Sequence, residues 1–212
     1  MIGLRAVSES PERFQAVLAA NTMLMRMPEP MLDVTQGLDR ESLPVDEGSA
    51  VRTFGDFVAS VSNLIGEDMS EFMDAWMRFA LWSPGFEPSQ NLALDFGGIE
   101  LSPGEAAAYD APFPGEIYRT AIRTLPSMAS LLDEARERAA WDRIQTFEKP
   151  FLTVFGERDL LVGSRRFQDR LIDNIPGARG QAHARVQAGH FLQESAGEEV
   201  AERLVAFMRS HR

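Results

Sequence analysis

The chain has 212 residues, 44% hydrophobic and 25% charged, with 21 basic against 32 acidic side chains for a formal net charge of −11. That length supports one sizeable hydrophobic core with a small accessory layer, and the acidic excess repels phosphate backbones, so nucleic acid is not an expected partner; the densest basic cluster is only Arg165-Arg166. The lack of cysteine excludes a disulfide framework and thiolate chemistry, and no apolar run reaches the length of a signal peptide or a membrane span, so a cytoplasmic location is expected.

Ile2, Leu4, Ala6 and Val7 open the chain in a helix-like pattern that Ser10-Pro11-Glu12-Arg13 breaks. A short strand is expected over 16–20, ending at Asn21-Thr22. Residues 23–50 are rich in Met, Pro and acid and read as irregular. From Phe54 to Trp82 apolar residues recur at helical spacing, among them Phe57, Phe72, Met73, Trp76 and Phe79, and Gly66-Glu67-Asp68 is expected to split the run in two. After an irregular stretch at 83–102, Ser102-Pro103-Gly104-Glu105 reads as a capped helix start, with serine as N-cap, proline in the first turn and glutamate three residues on. Helical patterns then fill 103–110, 115–124 and 127–145.

At Glu148-Lys149-Pro150 the period changes. Strand 151–155, helix 165–174, strand 183–188 and helix 196–209 alternate, which signals a right-handed parallel crossover unit. The expected organisation is therefore α/β: one strand within residues 1–22, a helical excursion over 23–147, and two further strands in 148–212 that return to the same sheet.

Asp159 and His190 each fall just past the end of one of these strands, where open parallel sheets collect their catalytic groups. A histidine can take a proton from water when a carboxylate orients its ring and stabilises the imidazolium. The competing reading is a loop-capping acid and a satisfied polar histidine. The Ala188-Gly189-His190-Phe191 context, with Asp159 one strand earlier, favours the functional one. No metal-ligand cluster forms among the three histidines, so neither metal nor organic cofactor is expected, and His183 and His211 read as surface residues.

The sequence resembles the C-terminal two-thirds of a haloalkane dehalogenase of the α/β-hydrolase superfamily. Four segments carry the likeness: Gly3-Leu4-Arg5 through Pro11-Glu12-Arg13-Phe14 to Ala19-Ala20-Asn21-Thr22; Tyr109-Asp110-Ala111-Pro112-Phe113-Pro114, the most specific; Phe151 to Asp159; and Ala188-Gly189-His190-Phe191-Leu192-Gln193-Glu194. No resemblance is read for residues 27–66. The resemblance implies a partial α/β-hydrolase fold, with three C-terminal strands of a parallel sheet and a helical cap inserted after the first.

It also implies roles. In the family a carboxylate attacks the halogen-bearing carbon, and water activated by histidine opens the resulting ester; His190 matches that base and Asp159 its acid partner. One branch of the family places the acid where Asn21 stands, so the branch with the later aspartate fits better. Asp74-Ala75-Trp76 resembles the halide-binding site of the cap, whose indole N–H donates without a competing charge; core packing is the competing reading, because Phe72, Met73 and Phe79 share its spacing. Phe72, Phe113, Leu161 and Phe191 are expected to line an apolar pocket for a small halogenated substrate.

The family's nucleophile elbow reads roughly D-W-G-G-x-I-G-L-R, and this chain opens at Met1-Ile2-Gly3-Leu4-Arg5, so the nucleophilic aspartate and adjacent tryptophan would precede residue 1. No G-x-S-x-G suggests a serine enzyme instead. The leading expectation is thus a dehalogenase-type hydrolase that is truncated and inactive alone, with an apolar sheet edge open to pairing. The alternatives are an epoxide hydrolase or esterase, likewise incomplete, or a non-catalytic remnant completed by another chain. Of the tyrosines that epoxide chemistry requires, only Tyr109 and Tyr118 are present, and Tyr109 belongs to the dehalogenase-like hexapeptide.

Overall fold

The computed structural model describes residues 2–24, 57, 69–84, 86–93, 99–127, 133–159 and 161–211. Most of the helical run at 54–68, the segment 27–66 apart from Phe57, and Asp95 lie outside the described residues. The described elements, in order, are α1 (Ile2–Glu9), β1 (Val17–Ala20), α2 (Met69–Trp82), α3 (Pro88–Ala93), α4 (Pro103–Asp110), α5 (Glu116–Thr124), α6 (Glu134–Ile144), β2 (Phe151–Gly156), α7 (Arg165–Asn174), β3 (Ala184–Val186), α8 (Leu192–Ser195) and α9 (Gly197–Ser210). The chain divides into two compact units: Met1–Met27, Asp95–Ile99 and Glu134–Arg212 form one, Pro28–Leu94 and Glu100–Asp133 the other.

The first unit carries a three-stranded parallel sheet in the order β1-β2-β3. Val17 pairs with Phe151 and Ala20 with Val154; Val154 pairs with Ala184 and Gly156 with Val186. Every residue of β2 is buried, as expected of a central strand covered on both faces. Leu152 and Val154 join Val186, Ala188, Leu192 and Phe207 in one core cluster, which seats α9 on that face. Thr153 turns the other way and meets Gln168 of α7 through an Nε2–H···Oγ1 bond of 3.0 Å. The alternation of β2 thus places helices on opposite faces of the sheet, and the fold is α/β, consistent with a partial α/β-hydrolase fold.

α6 lies in this sheet-bearing unit. Its Ala140, Trp141 and Ile144 are buried, the Arg170 guanidinium sits over the Trp141 ring at 4.8 Å, and Glu137 pairs with Arg5 of α1 at 2.8 Å. The sequence expectation drew its boundary at residue 148; α6 falls on the sheet side of the division, tied to α1 by the Arg5–Glu137 pair and by Arg143 Nε–H donating to Ser8 O at 3.2 Å. β3 is shorter than the expected 183–188, since Ala188 N–H turns back to Val186 O at 2.8 Å and ends the ladder.

In the second unit Phe57 stacks on Phe79 with centroids 5.2 Å apart, and Phe86 meets Phe79 at a tilt, 5.5 Å away. Arg123 of α5 is buried beside them. Its guanidinium donates to the carbonyls of Ala80 and Ser83 at 2.8 Å each, satisfying the C-terminal end of α2, and lies 5.0 Å from the Phe86 ring. The Tyr109-to-Pro114 segment has a structural duty here: Asp110 accepts from the backbone N–H and the hydroxyl of Ser89 at 2.9 and 2.8 Å, pinning the start of α3.

The helix start expected at Ser102 forms as a reciprocal capping box. Glu105 N–H donates to Ser102 Oγ, while Ser102 N–H donates to Glu105 Oε2 at 2.8 Å. The Ser102 hydroxyl also donates to Glu105 Oε2 at 2.7 Å; this bond and then the backbone bond hold the Glu105 carboxyl below its ordinary value. A depressed folded value means that the cap contributes at pH above the ordinary carboxylate range and is lost as pH falls through the depressed value. In Ser102→Ala the Glu105 carboxyl is expected to titrate back near the ordinary value, read by carboxyl-carbon NMR; an unchanged titration would show that the serine is not the cause.

Candidate active site

Asp159 and His190 meet. His190 Nδ1 lies 3.0 Å from Asp159 Oδ2. The Asp159 side chain is 0% exposed and that of His190 30%. A carboxylate offers only acceptors, so Nδ1 carries the hydrogen of this bond and Nε2 is the basic nitrogen of the neutral ring. The other carboxylate oxygen of Asp159 accepts from the backbone N–H groups of Leu161 and Val162, at 2.8 and 3.2 Å. Three donors therefore converge on one buried acid, which keeps its orientation fixed and its charge compensated.

The sheet supplies this geometry. β2 delivers the loop bearing Asp159 at its carboxyl end, and the chain after β3 delivers His190 beside it. Glu157 N–H donates to Val186 O at 2.8 Å and Arg158 N–H to Ala188 O at 3.0 Å, so the two exit loops stay paired beyond the last ladder residue. Two glycines permit the approach. A Cβ on Gly156 would stand 2.5 Å from the carbonyl oxygens of both Ala188 and Gly189, and one on Gly163 would stand 2.1 Å from Asp159 O. Arg185, in the middle of β3, donates to the carbonyls of Gly163 and Gly156 and braces the Asp159 loop at both ends. None of these three is legible as a site residue in the sequence; the one cue is a glycine at each end of the Asp159 loop.

Of the four residues expected to line a pocket, Leu161 and Phe191 lie in the same unit as the pair. Leu161 is half-buried, and the Phe191 ring meets the His190 ring edge-on at 5.2 Å. Trp76 and Phe113 belong to the other unit, each half-buried, on α2 and just past α4 respectively. The side chain of Phe72 lies outside the described residues.

His183 is a correction. It reads as a surface residue in the sequence, yet it is half-buried with both ring nitrogens engaged. Nδ1 accepts from Thr153 N–H at 3.1 Å and stands 2.9 Å from the Thr153 hydroxyl, while Nε2–H donates to Ala178 O at 2.8 Å. The alternation around 183–188 conceals this, because His183 precedes the strand and folds back against the middle of β2. Among the described residues no group of three or more His, Cys, Asp or Glu could hold a metal ion, and no helix is long and apolar enough to cross a membrane.

No protein-family model matches the sequence. Curated relatives do. A haloalkane dehalogenase of Mycobacterium marinum is 43% identical over 136 residues, 62% of this chain and 45% of the relative. Haloalkane dehalogenase 1 of Mycobacterium tuberculosis is 39% identical over 140 residues, 64% of this chain and 45% of the relative. A haloalkane dehalogenase of Psychrobacter cryohalolentis is 33% identical over 218 aligned residues, 100% of this chain and 58% of the relative. The chain spans about half the length of the curated relatives it matches. With a parallel α/β sheet whose strand ends carry the Asp159–His190 couple, and with relatives of one name matching it at these identities, the chain is homologous to about half of a haloalkane dehalogenase, an α/β hydrolase.

Proposed function

We propose that these residues carry the hydrolytic half of a carbon–halogen hydrolase. The observation that supports this best is the buried Asp159 carboxylate bound to His190 Nδ1–H, which leaves Nε2 as a base at the carboxyl end of the sheet. In the reaction a carboxylate displaces halide from an alkyl carbon, giving an ester and a free halide ion. His190 Nε2 then takes a proton from water as its oxygen attacks the ester carbonyl carbon. The alcohol leaves, the carboxylate is restored, and Asp159 stabilises the transient imidazolium.

Asp159, in the turn after β2, is engaged by His190, and among the described residues we assign no other carboxylate as the nucleophile, so in this reading it comes from residues outside the described ones or from a second polypeptide. The outer edge of β1 is the place where such a supplement would pair, since β1 bonds only to β2 among the described strands. In this reading the substrate is a small halogenated alkane. Leu161 and Phe191, in the same unit as the pair, are the alkyl-binding candidates beside His190; the resemblance assigns Trp76 to the departing halide and Phe72 and Phe113 to the alkyl group. Location in the cytoplasm accords with the cysteine-free composition.

The test compares bromide release from short bromoalkanes by the 212-residue chain and by a version extended through any residues its reading frame encodes ahead of Met1. Release is expected only from the extended version. In that version His190→Ala is expected to release about one bromide per protein and then stop, because ester forms but is not opened; the alkyl adduct is visible by intact mass. Continued turnover by His190→Ala would remove the histidine from the mechanism, and turnover by the 212-residue chain would remove the need for a supplement.

A further inference from the structure

Asn21 stands where one branch of the family keeps its acid, yet the sequence leaves it without a duty. It is the first residue past β1, and its backbone lies in the left-handed region with φ 36°, the only positive φ among the described non-glycine residues. A side chain tolerates that region only where its surroundings hold it there. Here three hydrogen bonds do so. Gly156 N–H, at the end of β2, donates to Asn21 Oδ1 at 2.7 Å. Asn21 Nδ2 donates to the carbonyls of Gly189 and His190, at 2.8 Å each.

The site therefore presents one donor and two acceptors, which is the complement of a primary carboxamide with its one carbonyl oxygen and two N–H groups. This matching also settles the orientation of the amide, since the flipped arrangement would set Oδ1 against two carbonyls. A carboxylate of the same shape could accept from Gly156 but would repel both carbonyls. The three bonds tie together the ends of β1 and β2 and the turn after β3.

His190 needs such a tie. β3 ends at Val186 and α8 begins at Leu192, so the residues between belong to neither ladder nor helix. Asp159 is held from its own side by Leu161, Val162 and the Gly163 turn. We infer that Asn21 is the positioning residue for His190: its amide fixes the main chain at 189–190 so that the imidazole meets Asp159. The catalytic consequence rests on the hydrolase reading above; the positioning itself does not.

The experiment uses NMR on the 212-residue chain. In the wild type the Asn21 side-chain amide protons are expected to exchange far more slowly than those of exposed Gln193, and His190 Nδ1–H to give a downfield resonance. Asn21→Gly keeps access to the left-handed backbone while deleting the amide. It is expected to abolish the His190 resonance and the protection of Gly156 N–H, while Leu161 N–H stays protected through Asp159. Ile144→Ala, a core deletion in α6 of the same unit, is the stability control and is expected to leave the resonance in place.

Persistence of the resonance in Asn21→Gly, or its equal loss in Ile144→Ala, would overturn the assignment. So would wild-type Asn21 amide protons that exchange as fast as those of Gln193, a measurement that decides the matter even if the glycine variant fails to fold. None of these readouts uses turnover, so they stand or fall apart from the dehalogenase reading. In a turnover-competent version the same substitution is expected to lower kcat by roughly 100-fold with KM little changed, the signature of a misplaced base.

Discussion

Asp159→Asn is expected to lower kcat for halide-coupled hydrolysis in a turnover-competent version by about 10⁴-fold, with little change in fold. The reasoning is geometric. Asparagine fills the same buried space, and its Oδ1 can still accept from Leu161 and Val162 N–H, so the loop stays in place. Its amide NH₂ then faces His190 Nδ1 where the carboxylate oxygen stood at 3.0 Å. Two donors cannot share that position, so the neutral imidazole moves its proton to Nε2 and offers its lone pair to the wrong partner. The base is inverted without being removed. Steady-state bromide release measures the effect, and near-normal melting confirms that the fold survives. A loss of less than about tenfold would show that Asp159 is a loop anchor and not the partner of the base.

Gly163→Ala is the substitution with the largest expected effect on stability. The added methyl would meet Asp159 O at 2.1 Å and Gly156 O at 2.8 Å, both backbone atoms that no rotamer change can clear. The chain must therefore shift, and the Asp159 loop with it. A cost near the top of the range for overpacking, about 3 kcal/mol, corresponds to roughly 10 °C in Tm for a chain of this size. Gly104→Ala is the internal comparison. Its Cβ would meet nothing within 4 Å in the first turn of α4, and the substitution is expected to be neutral or mildly stabilising. Calorimetry of the two variants decides. Equal Tm values would mean that the Asp159 turn yields freely and that the close approach of Gly163 sets nothing.

Much of the architecture is legible in short-range pattern. Helix α7 occupies the residues expected for it, β2 differs from its expected range by one residue, and α4 begins at the Ser102 capping box. These signals are local: strand alternation, a proline in a first turn, and a serine and glutamate at fixed spacing. Asp159 and His190 stand out for the same reason, because a polar residue directly after an apolar strand breaks a local pattern.

Other features depend on partners distant in sequence. α6 reads as part of the helical excursion, and its contacts with Arg5 of α1 and Arg170 of α7, both distant in sequence, place it in the sheet-bearing unit. His183 reads as exposed because nothing nearby signals that Thr153 and Ala178 close on its two nitrogens. Asn21 is one polar residue after a strand, indistinguishable by pattern from a turn former.

Order of strands and helices, the α/β class and the two residues at the strand ends follow from the amino-acid sequence by itself, because periodicity and punctuation act over a few residues. Only the tertiary structure decides that Asp159 and His190 share a hydrogen bond, that the Asn21 amide joins three strand ends, and that Gly156, Gly163 and Arg185 shape the acid's loop. Each of those contacts links segments brought together by the parallel sheet. Complementarity of donors, acceptors and close-packed backbone between such segments has no period along the chain.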